Sequence, residues 1–228
     1  MKIRVISVVF LTILCLALGT TAFAGTIYSE GPVLGDDNGL FIDGPGGPFG
    51  QSISDGFVAR INAAGDTTTR VYFGEWVLAG TTPTGVTWAI GNNNFSGPLT
   101  AAAGFGSSLY CTSGGSGCDN FGYDIYISHF SISGTPFTAG DTYWLTLTNA
   151  TDNRGDGDNA WDITSPGPAT CDVEHGVIVP GGGGGCGFAG ESFTITSGGG
   201  TTPEPSSILL LGSGILGLAG VLRRMLNR

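Results

Sequence analysis

Between residues 25 and 200, apolar and polar positions alternate with the period of strands. In GVTWAIG, residues 85–91, Val86, Trp88 and Ile90 fall on one side. In DTYWLTLTNA, residues 141–150, Tyr143, Leu145 and Leu147 share one side and Trp144, Thr146 and Thr148 the other. Successive side chains of a strand point to opposite faces, so this alternation marks half-buried sheet. RVYFGEWVLAG from Arg70 and FGYDIYISHFSIS from Phe121 read the same way, the second aligning Tyr123, Ile125 and Ile127. No stretch of this region carries an apolar stripe of helical period. Gly65-Asp66, Pro83-Thr84-Gly85, Gly97-Pro98 and Gly140-Asp141 punctuate the runs as turns. The pattern predicts roughly eight to ten short strands forming an all-β, antiparallel β-sandwich, jelly-roll-like, over residues 25–200. The 42 glycines do not argue for disorder, because Trp76, Trp88, Trp144, Trp161 and many β-branched residues supply a core.

The two ends break the alternation. Lys2 and Arg4 precede an apolar run from Val5 to Leu18, and Ala22-Phe23-Ala24 has the small-residue form that signal peptidase cuts. A signal peptide over residues 1–24 is therefore expected, with the mature chain starting at Gly25. Ser206 to Leu222 is an uncharged run of 17 residues, about 25 Å as a helix and at the lower limit for spanning a bilayer. Arg223, Arg224 and Arg228 follow it, and positive charge holds such an end in the cytoplasm while the body lies across the membrane.

Pro203-Glu204-Pro205, the apolar helix of residues 206–222 and Arg223-Arg224 in the basic end 223–228 together resemble the PEP-CTERM sorting signal of Gram-negative bacteria. The resemblance covers about the last 26 residues. It implies recognition by exosortase, a membrane-embedded transpeptidase-like enzyme, which removes the tail near Pro-Glu-Pro. It further implies an inner-membrane intermediate and then deployment at the cell surface or in the extracellular matrix. Both prolines lack an amide donor and disfavour helix before them, which keeps residues 202–205 extended and accessible outside the membrane. The body phrases IYSEGP, SISDGFVA, YWLTLTNA and NAWDIT resemble those of uncharacterised members of the same group, a likeness that implies no activity.

Charge narrows the function classes. Five of the eight basic residues lie in the two ends and seventeen of the eighteen acidic ones between them, so the body carries about −14 and no lysine. Such a surface repels nucleic acid and anionic lipid and attracts divalent cations. Cys111, Cys118, Cys171 and Cys186 remain after export, an even count that suggests two disulfides in an oxidising compartment. Local pairs, Cys111 with Cys118 and Cys171 with Cys186, are the simplest of three connectivities. A zinc site on Cys171, His175 and Cys186 is the rival, with a spacing that fits no common finger.

One loop carries candidate metal chemistry. TDNRGDGDNAWD, residues 151–162, gathers Asp152, Asp156, Asp158 and Asp162 with glycine relief, the oxygen-rich composition that calcium takes. Asp, Asn and Gly are equally the ordinary residues of tight turns, no glutamate closes the loop, and Arg154 sits inside it. No other cofactor is expected. Trp161, beside this loop, is the candidate for stacking on a sugar ring. No G-x-S-x-G elbow is present, and neither His129 nor His175 has an evident nucleophile, so no catalytic residue is expected. The sequence thus reads as an exported surface or matrix protein, structural or carbohydrate-binding, associated with exopolysaccharide and biofilm. A secreted hydrolase of matrix polysaccharide is the alternative, and it needs a pair of accessible carboxylates.

Overall fold

The computed structural model describes residues 25–31, 33, 39–65, 68–115, 122–155, 157–163, 170–174, 186–188 and 190–198, the segments 170–174 and 186–188 by their backbone alone. The predicted signal peptide with Ala22 and Ala24, the tail with Pro203, Glu204, Pro205, Arg223 and Arg224, and Cys118, Asp156 and His175 lie outside the described residues. The described residues belong to one compact unit, Ala24–Gly199. Among them no helix is long and apolar enough to cross a membrane; residues 206–222 lie outside them.

Thirteen strands are described: β1 Gly25–Ser29, β2 Gly39–Phe41, β3 Gln51–Val58, β4 Arg70–Leu78, β5 Pro83–Gly91, β6 Thr100–Ala101, β7 Ala103–Cys111, β8 Tyr123–Ser131, β9 Thr142–Asp152, β10 Ala160–Asp162, β11 Thr170–Glu174, β12 Cys186–Phe188 and β13 Phe193–Ser197. The excess over the expected number consists of strands of two to five residues, too short to show a period of two. All pairings are antiparallel. One sheet runs β1-β13-β4-β10-β2 and continues from β4 through β8 to β7; the other runs β12-β11-β3-β9-β5-β6.

β4 organises the first sheet. Along one edge it pairs with β8 without a register break, from Arg70 opposite Ser131 to Leu78 opposite Tyr123. Along the other edge β13 pairs with its first half and β10 with its second. The change of partner falls at Gly74, where a Cβ would come within 2.6 Å of Asp162 Cβ and of Ser192 Oγ. Only glycine admits that approach.

The two sheets face each other across one core. Ile53 and Phe57 of β3, Trp88 of β5 and Leu145 and Leu147 of β9 meet Val71 and Phe73 of β4, Phe130 of β8, Trp161 of β10 and Phe193 and Ile195 of β13. Val86, Trp88 and Ile90, and Tyr143, Leu145 and Leu147, are buried as their alternation predicts. The aligned trio of β8 behaves differently. Phe130 holds the core side of that strand, so Ile125, an odd number of residues away, is on the other face. There it joins Trp76 and Ala160 in a second cluster, with Val33, Phe41, Cys111 and Tyr123 packed against it. The outer faces of β3 and β9 are also closed, by polar pairing: Ser52 Oγ meets Thr148 Oγ1 at 2.7 Å and Thr146 Oγ1 donates to Ser54 Oγ at 3.0 Å.

Candidate functional site

On β4, Glu75 shares the parity of Phe73 and so points inward, where it is fully buried. Its carboxylate is held from two strands: Oε2 accepts from Ser128 Oγ of β8, and Oε1 accepts from Asn159 Nδ2 at 2.8 Å, just before β10. Burial pushes its pKa up to about 7 against the lowering effect of those two donors, and the charge of Asp152 adds to the rise. Asp152 closes β9. Its Oδ1 accepts the backbone N–H groups of Arg154 and Gly155, both at 2.8 Å, an Asx turn that starts the loop toward β10. Its Oδ2 is buried with no hydrogen-bond partner, and so is Asn159 Oδ1.

Two more carboxylates stand at this loop. Asp158 is raised by partial burial first and then by the charges of Asp152 and Asp43. Asp43 caps the turn before β3: Oδ1 accepts from Gln51 N at 2.9 Å, and Oδ2 from the N–H groups of Phe49 and Gly50. Arg154 does not neutralise the group, since its Nη2 reaches away to the Ala79 carbonyl at 3.3 Å. Asp43 and Glu75 come from distant strands and turns, so the sequence of the loop gave no sign of them.

Of the four acids expected to bind calcium, Asp156 lies outside the described residues, and the other three are not all brought together. Asp152 and Asp158 are neighbours, whereas Asp162 leaves the loop on the opposite face from Trp161 and accepts Trp76 Nε1 at 2.7 Å, fully buried. Among the described residues no three His, Cys, Asp or Glu side chains form a ready metal cluster. Trp161 is likewise no surface platform. It is fully buried, donates from Nε1 to the Ser192 carbonyl at 3.0 Å, and meets Phe73 and Phe193 edge-on. A strand position one residue from a loop was enough to carry the ring into the core.

The cysteines divide. Cys111 ends β7 and is disulfide-bonded. Cys171 and Cys186 stand opposite each other in the β11–β12 register. His129 packs on Tyr72 with ring centres 5.5 Å apart.

A separate cleft of about 190 Å³ opens beside Trp88 and Ile90, bounded by Pro98, Thr100, Ser131, Ser133 and Thr135 and lined by no charged residue. Trp88 stacks on Phe130 behind it, and its indole Nε1 is buried without a hydrogen-bond partner. Deeper in the body Glu191 is also fully buried. Neither of its carboxylate oxygens has a partner, and its pKa is raised well above the ordinary value by burial and then by Asp55 and Asp162.

Among the described residues the chemistry offers no accessible reactive pair, and the clearest functional signal stands beyond them. Residues 201–224 match the PEP-CTERM protein-sorting motif. The chain carries a PEP-CTERM domain. That motif implies export, processing by exosortase and sorting to the cell surface. The match begins after the last described residue, so it says nothing of the body's own activity, and among curated proteins none matches the chain.

Proposed function

We propose that this is a non-enzymatic surface or matrix protein: signal peptidase releases Gly25, exosortase removes the tail near Pro203-Glu204-Pro205, and a disulfide-bonded, jelly-roll-like body is deployed outside a Gram-negative cell in contact with extracellular polysaccharide. The observation that carries the reading is the PEP-CTERM motif joined to an acidic, lysine-free all-β body. Pairing order supports the jelly roll. Taken in chain order, β1, β3, β4, β5, β6, β8, β9 and β13 pair as first-eighth-third-sixth in one sheet and second-seventh-fourth-fifth in the other. The bonded state of Cys111 and the facing of Cys171 and Cys186 support two local disulfides, Cys111–Cys118 and Cys171–Cys186.

With Trp161 in the core, carbohydrate contact passes to the cleft beside Trp88, whose uncharged, hydroxyl-bearing lining suits a neutral sugar. The hydrolase alternative gains nothing from Glu75: its pKa is raised, but both of its oxygens are occupied inside the body and reach no substrate. The test is intact-mass and peptide mapping of the native chain from its own cells beside a P203A/E204A/P205A variant. A native form that starts at Gly25 and ends near Pro203, with the tail kept in the variant, is the expected result. A tail retained in both sinks the sorting step and leaves a tethered domain.

A further inference from the structure

We infer that Asp152, Asp158 and Asn159 form a calcium site at the β9–β10 loop, with Glu75 as the residue that positions it. The argument starts from unsatisfied oxygens. Buried polar atoms in folded proteins almost always find a partner, and an exception calls for an ion, a water or a strained contact. Here two exceptions flank one carboxylate: Asp152 Oδ2 and Asn159 Oδ1 are both buried with no donor, on residues that are 95% and fully buried. Asp158 adds a third oxygen ligand next to Asn159, within electrostatic reach of Asp152.

Protonation does not resolve this arrangement. A proton on Glu75 leaves both orphaned oxygens as they are, since an amide oxygen such as Asn159 Oδ1 does not take one near neutral pH and Asp152 Oδ2 has no hydrogen-bond partner. A cation satisfies all three oxygens at once. Glu75 accepts the Asn159 amide N–H and thereby fixes which end of that amide is the nitrogen, turning the oxygen to the other side. No lysine occurs in the body, and Arg154 is committed to the Ala79 carbonyl, so no side-chain cation substitutes for the ion. Two carboxylates and one amide, completed by water, are a hard, flexible oxygen set of the kind calcium accepts and magnesium, which demands a regular octahedron, fills poorly. The site depends only on the body and stands or falls apart from the sorting reading.

The test uses the full chain in detergent, stripped with EDTA and titrated calorimetrically with CaCl₂ or MgCl₂, beside Asp158→Asn and the exposed control Asp141→Asn. One calcium per chain is expected, at a Kd of about 10⁻³ M or tighter, as in extracellular modules. Saturation raises the melting temperature by roughly 3–10 °C at ten to a hundred times Kd. D158N weakens binding at least tenfold, D141N leaves it unchanged, and magnesium binds more weakly. No heat and no thermal shift at 10 mM CaCl₂, in a wild-type chain with native near-ultraviolet dichroism, overturns the proposal even if a variant misfolds. An equal loss in D158N and D141N overturns it too, by reducing the effect to general charge.

Discussion

At the scale of the residue, Glu75 and Trp161 make opposite demands on the core. Glu75 titrates at about 7 when folded against an ordinary 4.5. Below pH 4.5 both folded and unfolded chains hold the proton. As pH rises from 4.5 to 7 the unfolded chain releases it first, so stability falls, by about 3 kcal/mol when complete. Urea melts at pH 5 and pH 8 in EDTA should therefore show wild type losing stability relative to Glu75→Gln, the gap between them narrowing by up to that amount. A parallel pair of curves would mean that Glu75 is solvated. Trp161 predicts a loss independent of pH. Removing a fully buried indole that also holds the Ser192 carbonyl should cost Trp161→Ala about 3–5 kcal/mol of stability. Trp161→Phe should lose less and leave polysaccharide retention unchanged, which pull-down on the matrix polymer would check.

At the scale of the element, β4 is the most constrained strand, because Gly74 marks the point where its partner changes from β13 to β10. Gly74→Ala should push Asp162 and Ser192 apart and lower the melting temperature, whereas alanine at exposed Gly46, where a Cβ meets nothing within 4 Å, should be tolerated. Differential scanning calorimetry of the two variants separates them. β5 and β9 were readable from the sequence because one face of each is apolar and buried. The alternation in β8 was equally clear, yet it assigned Tyr123, Ile125 and Ile127 no particular side: a period of two says that the faces differ, and only packing says which is inner. Trp76 with Val33 and Phe41 makes the second face of that sheet apolar as well. The loop acids Asp152 and Asp158 were visible as a run. Asp43 and Glu75 were not, since three-dimensional pairing alone brings a turn and a strand interior to that loop, and the same pairing removes Asp162.

At the scale of the whole molecule, connections decide the shape. Of the links between successive members of the eight-strand pattern, only β5 to β6 stays within a sheet, and every other one crosses from one sheet to the other. Such a body closes only when early and late segments have met, so it should fold in milliseconds to seconds rather than microseconds, a rate that stopped-flow tryptophan fluorescence would give. Reducing its disulfides should cost on the order of 2–4 kcal/mol for each native bridge, read as a fall in the urea midpoint with dithiothreitol.

The pairing of the first and last strands has a mechanical meaning. Gly25 lies opposite Ser197, so the places where the body begins and where it runs out toward its tail are side by side. A body held by one of those places hangs from a single corner and can swivel, and drag on its far side loads the sheets as a block. Force applied between the two places would instead peel β1 from β13 one hydrogen bond after another, the weakest way to strain a sheet. A chain kept fastened at both places would thus unzip under flow, and losing either fastening would turn the same strand pair from a zipper into a hinge plate.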